Sequence, residues 1–137
     1  MSKNISHNIS AALGLRLGFN AGAGLTYNAA DPADKLNQPV KMSANQTVVL
    51  CANNDRPIGS IVIVEPSDGS SVKVTVSLGP VVCFNLGTGQ TAAGMFGKSV
   101  IADGAGGVKP ATAGAGLGIV TSVEGSKVYV LTYGGTI

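Results

Sequence analysis

Charge is scarce in this sequence: Asp, Glu, Lys and Arg make up 12% of its 137 residues, against about a quarter in ordinary globular domains. So little charge leaves a weakly polar surface, which favours permanent association over life as a free monomer. The nine basic residues are Lys3, Arg16, Lys35, Lys41, Arg56, Lys73, Lys98, Lys109 and Lys127, and the net charge is +2. They are scattered, with no run that could track a phosphate backbone, so direct nucleic-acid binding is not expected.

Histidine is almost absent. His7 stands alone near the N-terminus, where it is badly placed to serve a nucleophile as base. Cys51 and Cys83 are the only cysteines, and no CxxC or HxxxH spacing accompanies them, so no metal site, cofactor site or catalytic residue is expected. Trp is missing, and only Tyr27, Tyr129 and Tyr133 could offer a tyrosine ring to a sugar. No apolar run reaches the roughly 18 to 20 residues of a membrane-spanning helix, which argues against a membrane partner. The N-terminus Met1-Ser2-Lys3-Asn4-Ile5-Ser6-His7 lacks the apolar core of a secretory signal. The chain is therefore expected to be made in the cytosol, with both cysteines reduced and packed as small apolar side chains. The glycosylation-like triplets at Asn4, Asn8 and Asn45 then carry no meaning.

Glycine and valine are abundant. With 20 glycines and an apolar fraction of 45%, the composition points to turns and short strands. The clearest signal is Val72 to Leu86. Val72, Val74, Val76 and Leu78 alternate with Lys73, Thr75 and Ser77, the period of a strand buried on one face. Gly79-Pro80 breaks the pattern and predicts a two-residue hairpin turn with Leu78 opposite Val81. In that register Val82, Phe84 and Leu86 point away from the core of Val72, Val74 and Val76. A single sheet face cannot hide both sets, so a second sheet or another chain must cover one of them.

Further strands are predicted at Thr47 to Ala52, Ile58 to Val64, Val81 to Leu86, Lys98 to Ala102, Gly107 to Lys109, Leu117 to Val123 and Lys127 to Thr132, separated by turn-forming clusters. The last two form a hairpin around Glu124-Gly125-Ser126, where Gly125 can adopt a left-handed conformation. The expected fold is all-β: a small β-barrel or jelly-roll-like sandwich of about 8 short strands. Residues 1–40 read as an extended N-terminal arm and residues 41–137 as the body. Phe19, Leu25 and Tyr27 are isolated large side chains in that arm, suited to anchoring it on a partner or, equally, to packing on its own domain.

The acidic residues Asp31, Asp34, Asp55, Glu65, Asp68, Asp103 and Glu124 fall mostly in turns, with no pair spaced as an acid and base. Gly87-Thr88-Gly89-Gln90 and Gly114-Ala115-Gly116-Leu117-Gly118 lack the Lys-Ser/Thr of a phosphate loop. The chemistry is thus expected to lie in interfaces, and the chain is not expected to be an enzyme.

From Arg56 onward the order of features resembles the capsid decoration (cement) proteins of tailed bacteriophages. The likeness is carried by Arg56-Pro57-Ile58-Gly59, the strand Val72 to Leu78 running into Gly79-Pro80-Val81-Val82, and Ala92-Ala93-Gly94. Val100-Ile101-Ala102-Asp103, Gly107-Val108-Lys109-Pro110-Ala111-Thr112 and Leu117-Gly118-Ile119-Val120 complete it. The resemblance implies a β-barrel or jelly-roll body on the outer surface of the virion capsid. It also implies a dimer or trimer that bridges neighbouring major capsid protein subunits, and the arm departs from the shorter family members. On that reading Phe19, Leu25 and Tyr27 anchor the arm, while Val82, Phe84 and Leu86 face a second copy or the shell. A tail- or fibre-associated virion protein and a carbohydrate-binding β module are the rival readings.

Overall fold

The computed structural model describes residues 14–67, 71–112 and 115–132. The chain is nearly all β, with a closed barrel of five strands followed by two smaller sheets. The barrel strands are β1 (Leu15–Ala21), β2 (Pro39–Ala44), β3 (Thr47–Leu50), β4 (Gly59–Glu65) and β5 (Lys73–Gly79), joined in the order β1-β3-β2-β4-β5. β6 (Val81–Asn85), β9 (Ile119–Glu124) and β10 (Lys127–Leu131) form the second sheet in the order β6-β10-β9. β7 (Val100–Ala102) and β8 (Val108–Pro110) pair beside it.

Alternation decides which side chains fill the barrel. Phe19 lies opposite Val74, and Val74 opposite Val64, while Leu17, Val76 and Ile61 form the next row along the same face. Those rows build a core of Leu25, Val40, Val48, Ile61, Val64, Val74 and Val76, against which Phe19, Ala21 and Tyr27 pack. All eight strands read from the pattern are present, with shifts of a few residues at their ends.

The segment read as an arm is part of this barrel from Leu15 onward. β1 pairs antiparallel with β5 from Leu15–Gly79 to Asn20–Lys73, and Leu25 is 2% exposed inside the core. Residues 1–13 lie outside the described residues. The structural division falls instead at Gly79–Pro80, with residues 15–79 forming the barrel and residues 81–132 the second body.

Gly79-Pro80 is correspondingly not a hairpin turn. β5 and β6 belong to different sheets, and the peptide between them is cis. Gly79 has φ 139, a region that favours glycine, and a Cβ there would collide with Thr132 Oγ1. The Thr132 amide donates to Pro80 O at 2.7 Å, holding the end of β10 against the crossing.

The second body has its own core: Val82, Phe84, Met95, Val100, Val108, Leu117, Val120, Val128 and Val130, with Leu86 packed against it. The expectation that a further layer must hide Val82 and Phe84 is met within the chain by the β7–β8 pair, through Val100 and Val108, and by Met95. Glu124 pairs with Lys127, so the final hairpin turns on Gly125-Ser126 alone, with Gly125 at φ 61. A single helical turn, α1 (Ala92–Met95), is capped by Thr91 Oγ1, which accepts from the Gly94 amide at 3.2 Å, and it drops Met95 into this core.

Hydrogen bonds join the two bodies. Asn54 N donates to Ala102 O and Ala102 N to Asp55 O, each at 2.9 Å, while Arg56 Nε donates to Gly116 O at 3.1 Å. Asn85 does more: its amide donates to Asn37 O, its Nδ2 lies within reach of Leu36 O and Gly106 O, and its Oδ1 accepts from Lys127 Nζ at 2.9 Å.

Candidate interaction surface

Barrel closure is thin where β1 meets β3, as it is where β2 meets β4. Between β1 and β3 only Asn20–Thr47 and Ala21–Val48 are in register, because β3 begins at Thr47 just after the turn at Asn45-Gln46. Asn20 N donates to Gln46 O and Gly22 N to Val48 O, both at 2.8 Å, whereas Ala21 N points the other way, to Val72 O. Even-numbered residues of β1 therefore aim their backbone groups toward β3. Arg16 and Gly18 share that parity but lie below the start of β3. Among the described residues, no backbone partner meets this edge.

Exposed apolar side chains coincide with the gap. Leu15 is 53% exposed and Leu17 46%, although Leu17 sits opposite Val76 on the inward face. Beside them a cleft of about 300 Å³ is lined by Gly18, Phe19, Asn20, Gln46, Glu65, Lys73, Val74 and Thr75. A Cβ at Gly18 would meet nothing within 4 Å. Asn20 Oδ1 accepts from Lys73 Nζ at 2.7 Å and lies 3.2 Å from Ser71 Oγ, which fixes the polar wall of the cleft. Elsewhere Phe96 and Ile63 are as exposed as Leu17, and Leu36, Met42 and Ile119 somewhat less.

None of the six residues expected at a partner surface occupies this edge with a freely exposed side chain. Val82 and Phe84 are fully buried in a core shared with Met95 of α1, Val100 of β7 and Val108 of β8, and Leu86 packs against the same core. Leu25 is inside the barrel, and Phe19 and Tyr27 pack on it half-buried; of these, Phe19 alone also lines the cleft. The physical reason is that the chain supplies both covers itself: β1 closes the barrel, and α1 with the β7–β8 pair packs Met95, Val100 and Val108 against the sheet of β6. Leu15 and Leu17 were visible in the sequence as part of an alternation, but nothing local said that β3 would stop short of them.

Burial and short polar contacts set the titration of the groups that shift. Burial pushes the Cys51 thiol up to about 12, with Asp55 nearby adding to the shift, and burial raises Cys83 as well. Both thiols are free and held protonated, the opposite of an activated nucleophile. Burial, with Cys83 alongside, also raises the Tyr129 phenol. Lys41 and Asp55 form a 2.6 Å ion pair; the Lys41 hydrogen bond and then the Ala52 amide hold the Asp55 carboxyl below its ordinary range. His7 lies outside the described residues. Among the described residues, no group of three His, Cys, Asp or Glu side chains could hold a metal, and no helix is long and apolar enough to cross a membrane.

No family model and no curated protein sequence matches the chain. Its fold is similar to the crystal structure of the head fiber gp8.5 N base of bacteriophage phi29, with a TM-score of 0.53 and 13% identity. The similarity covers 91% of this chain and 98% of that one. At that identity the likeness is one of fold, spanning both the barrel and the second body.

Proposed function

We propose that this chain is a structural protein of a phage virion that binds the outer surface of the capsid and bridges neighbouring major capsid protein subunits. The observation that carries the reading is the shared fold: both bodies match a protein described as the base of a phage head fiber. The resemblance of Arg56 onward to capsid decoration proteins supports it independently, from sequence order alone. The partners are shell subunits and further copies of this chain, at the capsid outer surface.

The mechanism is differential binding. A protein whose site is complete only where two shell subunits lie side by side in the expanded lattice stabilises that lattice by its preference for it. Each clamp can be weak, since many act on one shell. The architecture suits this role, because two packed cores joined by backbone hydrogen bonds hold an edge in fixed geometry at little entropic cost.

A second reading, that the protein is the base on which a head fibre stands, is favoured by the description of the structural neighbour. The two readings share attachment to the head and differ in whether a fibre is carried. Co-sedimentation of the full chain with purified expanded and unexpanded shells tests the attachment. Retention on expanded shells alone is expected; equal retention on both, or retention only by a glycan matrix, would overturn the clamp mechanism.

A further inference from the structure

We infer that the open edge of β1 pairs with the same edge of a second copy, antiparallel across a two-fold axis at Leu17. The inference deepens the self-association in the reading above and does not involve the shell contact.

The argument starts from backbone parity. Among the described residues nothing pairs with the outward amides and carbonyls of Arg16 and Gly18, and unpaired strand edges are templates for another strand. A symmetric antiparallel pair must set even residues opposite even residues, because only those carry outward hydrogen-bonding groups. Centring on Gly18 would set Arg16 opposite Asn20, whose outward amide already donates to Gln46 O, which leaves two registers. Centring on Arg16 puts two guanidinium-bearing side chains directly opposite each other, and like charges in that position repel.

Centring on Leu17 sets Arg16 opposite Gly18 of the other copy. Gly18 has no side chain and open space above it, so the arginine lies across the partner strand without a clash. Arg16 N–H then donates to the partner's Gly18 C=O and Gly18 N–H to the partner's Arg16 C=O; symmetry doubles both bonds. Leu17 meets Leu17 of the second copy in a non-hydrogen-bonded pair, and Leu15 faces the partner's Phe19, covering the two apolar side chains that β3 leaves bare. The contact is isologous, so it closes after two copies and does not propagate.

So short an edge buries less than the about 800 Å² per partner of a standard interface, so free copies pair weakly and copies held side by side pair persistently.

The test is disulfide trapping in the full chain without shells. Cα atoms of a non-hydrogen-bonded pair lie about 4.5 Å apart, inside the roughly 4.4 to 6.8 Å that a disulfide spans. Leu17→Cys is expected to give a covalent dimer under mild oxidation, while Arg16→Cys and the unsubstituted chain stay monomeric. Monomeric Leu17→Cys, or faster cross-linking of Arg16→Cys, would overturn the register; an edge occupied by residues 1–13 would give the former. Sedimentation provides a readout independent of cysteine: Leu17→Asp should weaken self-association at least tenfold, and Ile63→Asp, an equally exposed change on β4, should leave it unchanged. Equal loss in both variants would overturn the site. Shell retention by Leu17→Asp reports on capsid binding separately.

Discussion

The barrel and the second body are built from the same material, valine-rich strands around an apolar centre, yet one is sealed and the other is not. In the second body Val82, Phe84, Met95, Val100, Val108, Val128 and Val130 are all fully buried, with β10 at the middle of its sheet. In the barrel, closure depends on β1, which must find β5 across the chain; Asn20 and Lys73 are 53 positions apart. β1 then outruns β3 and leaves Leu15 and Leu17 uncovered. The lesson is that the place to look for a partner is the unfinished seam and not the greasiest strand.

The most severe way to break this comparison is to remove β1. Deleting residues 1–38 takes away the strand that closes the barrel, together with Leu25, Phe19 and Tyr27 from its core. The expected outcome is loss of the barrel's cooperative melting transition and of amide protection in β2 to β5. Retained protection there would mean that the segment is a detachable arm after all.

Next in size is a paired substitution that weighs sealed against open. Phe84→Ala empties a fully buried site and should cost about 3–5 kcal/mol. Leu17→Ala, on a half-exposed side chain, should cost no more than about 1 kcal/mol. Urea unfolding of both variants measures the contrast, and equal losses would show that the seam is as well packed as the second core. Asn85→Ala should fall between them, at about 1–3 kcal/mol, because it strips partners from Leu36 O, Gly106 O and Lys127 Nζ. Its particular signature is a split of one unfolding transition into two, barrel and second body apart.

Much of this architecture could be read from the sequence, because period-two alternation survives wherever one strand face is wet. Val72 to Leu78 announces itself that way, whereas Lys127 to Thr132 shows as a continuous apolar run buried on both faces. β1 carries the same alternation, Leu15, Leu17, Phe19 and Ala21, but Gly18 interrupts its strand character and a glycine-rich segment follows, so its partner 53 positions away left no local trace. The crossing at Gly79-Pro80 was legible as a break and not as a change of sheet, since both outcomes need glycine at positive φ. The open edge was invisible for a different reason: it is set by where β3 begins relative to β1, a matter of register between strands distant in sequence.

A smaller effect separates the cysteines. Burial holds the Cys51 thiol protonated up to about 12, above its ordinary 9.0. Because the folded state binds that proton more tightly, the associated stability is present below pH 9.0 and lost as pH climbs toward 12. At pH 8 iodoacetamide should therefore leave Cys51 untouched in the folded chain and modify it only after urea unfolding. Rapid labelling without denaturant would show that the barrel opens near β3 as well as at the seam.

The finest test addresses the joint between the two regions. Asp55 Oδ2 accepts from Ala52 N at 2.8 Å and pairs with Lys41, fixing the loop whose Asn54 and Asp55 backbone groups grip Ala102 of β7. Its carboxyl is held below the ordinary 3.8, by the Lys41 hydrogen bond first, so the carboxylate is the form that the folded loop prefers. The stabilisation is therefore complete above 3.8 and disappears as pH falls below that value through the folded one. Amide chemical shifts of Ala52, Asn54 and Ala102 should move together in that acid range while those of Val76 and Phe84 stay fixed. Simultaneous movement of all five would mean that the clasp and the cores melt as one unit.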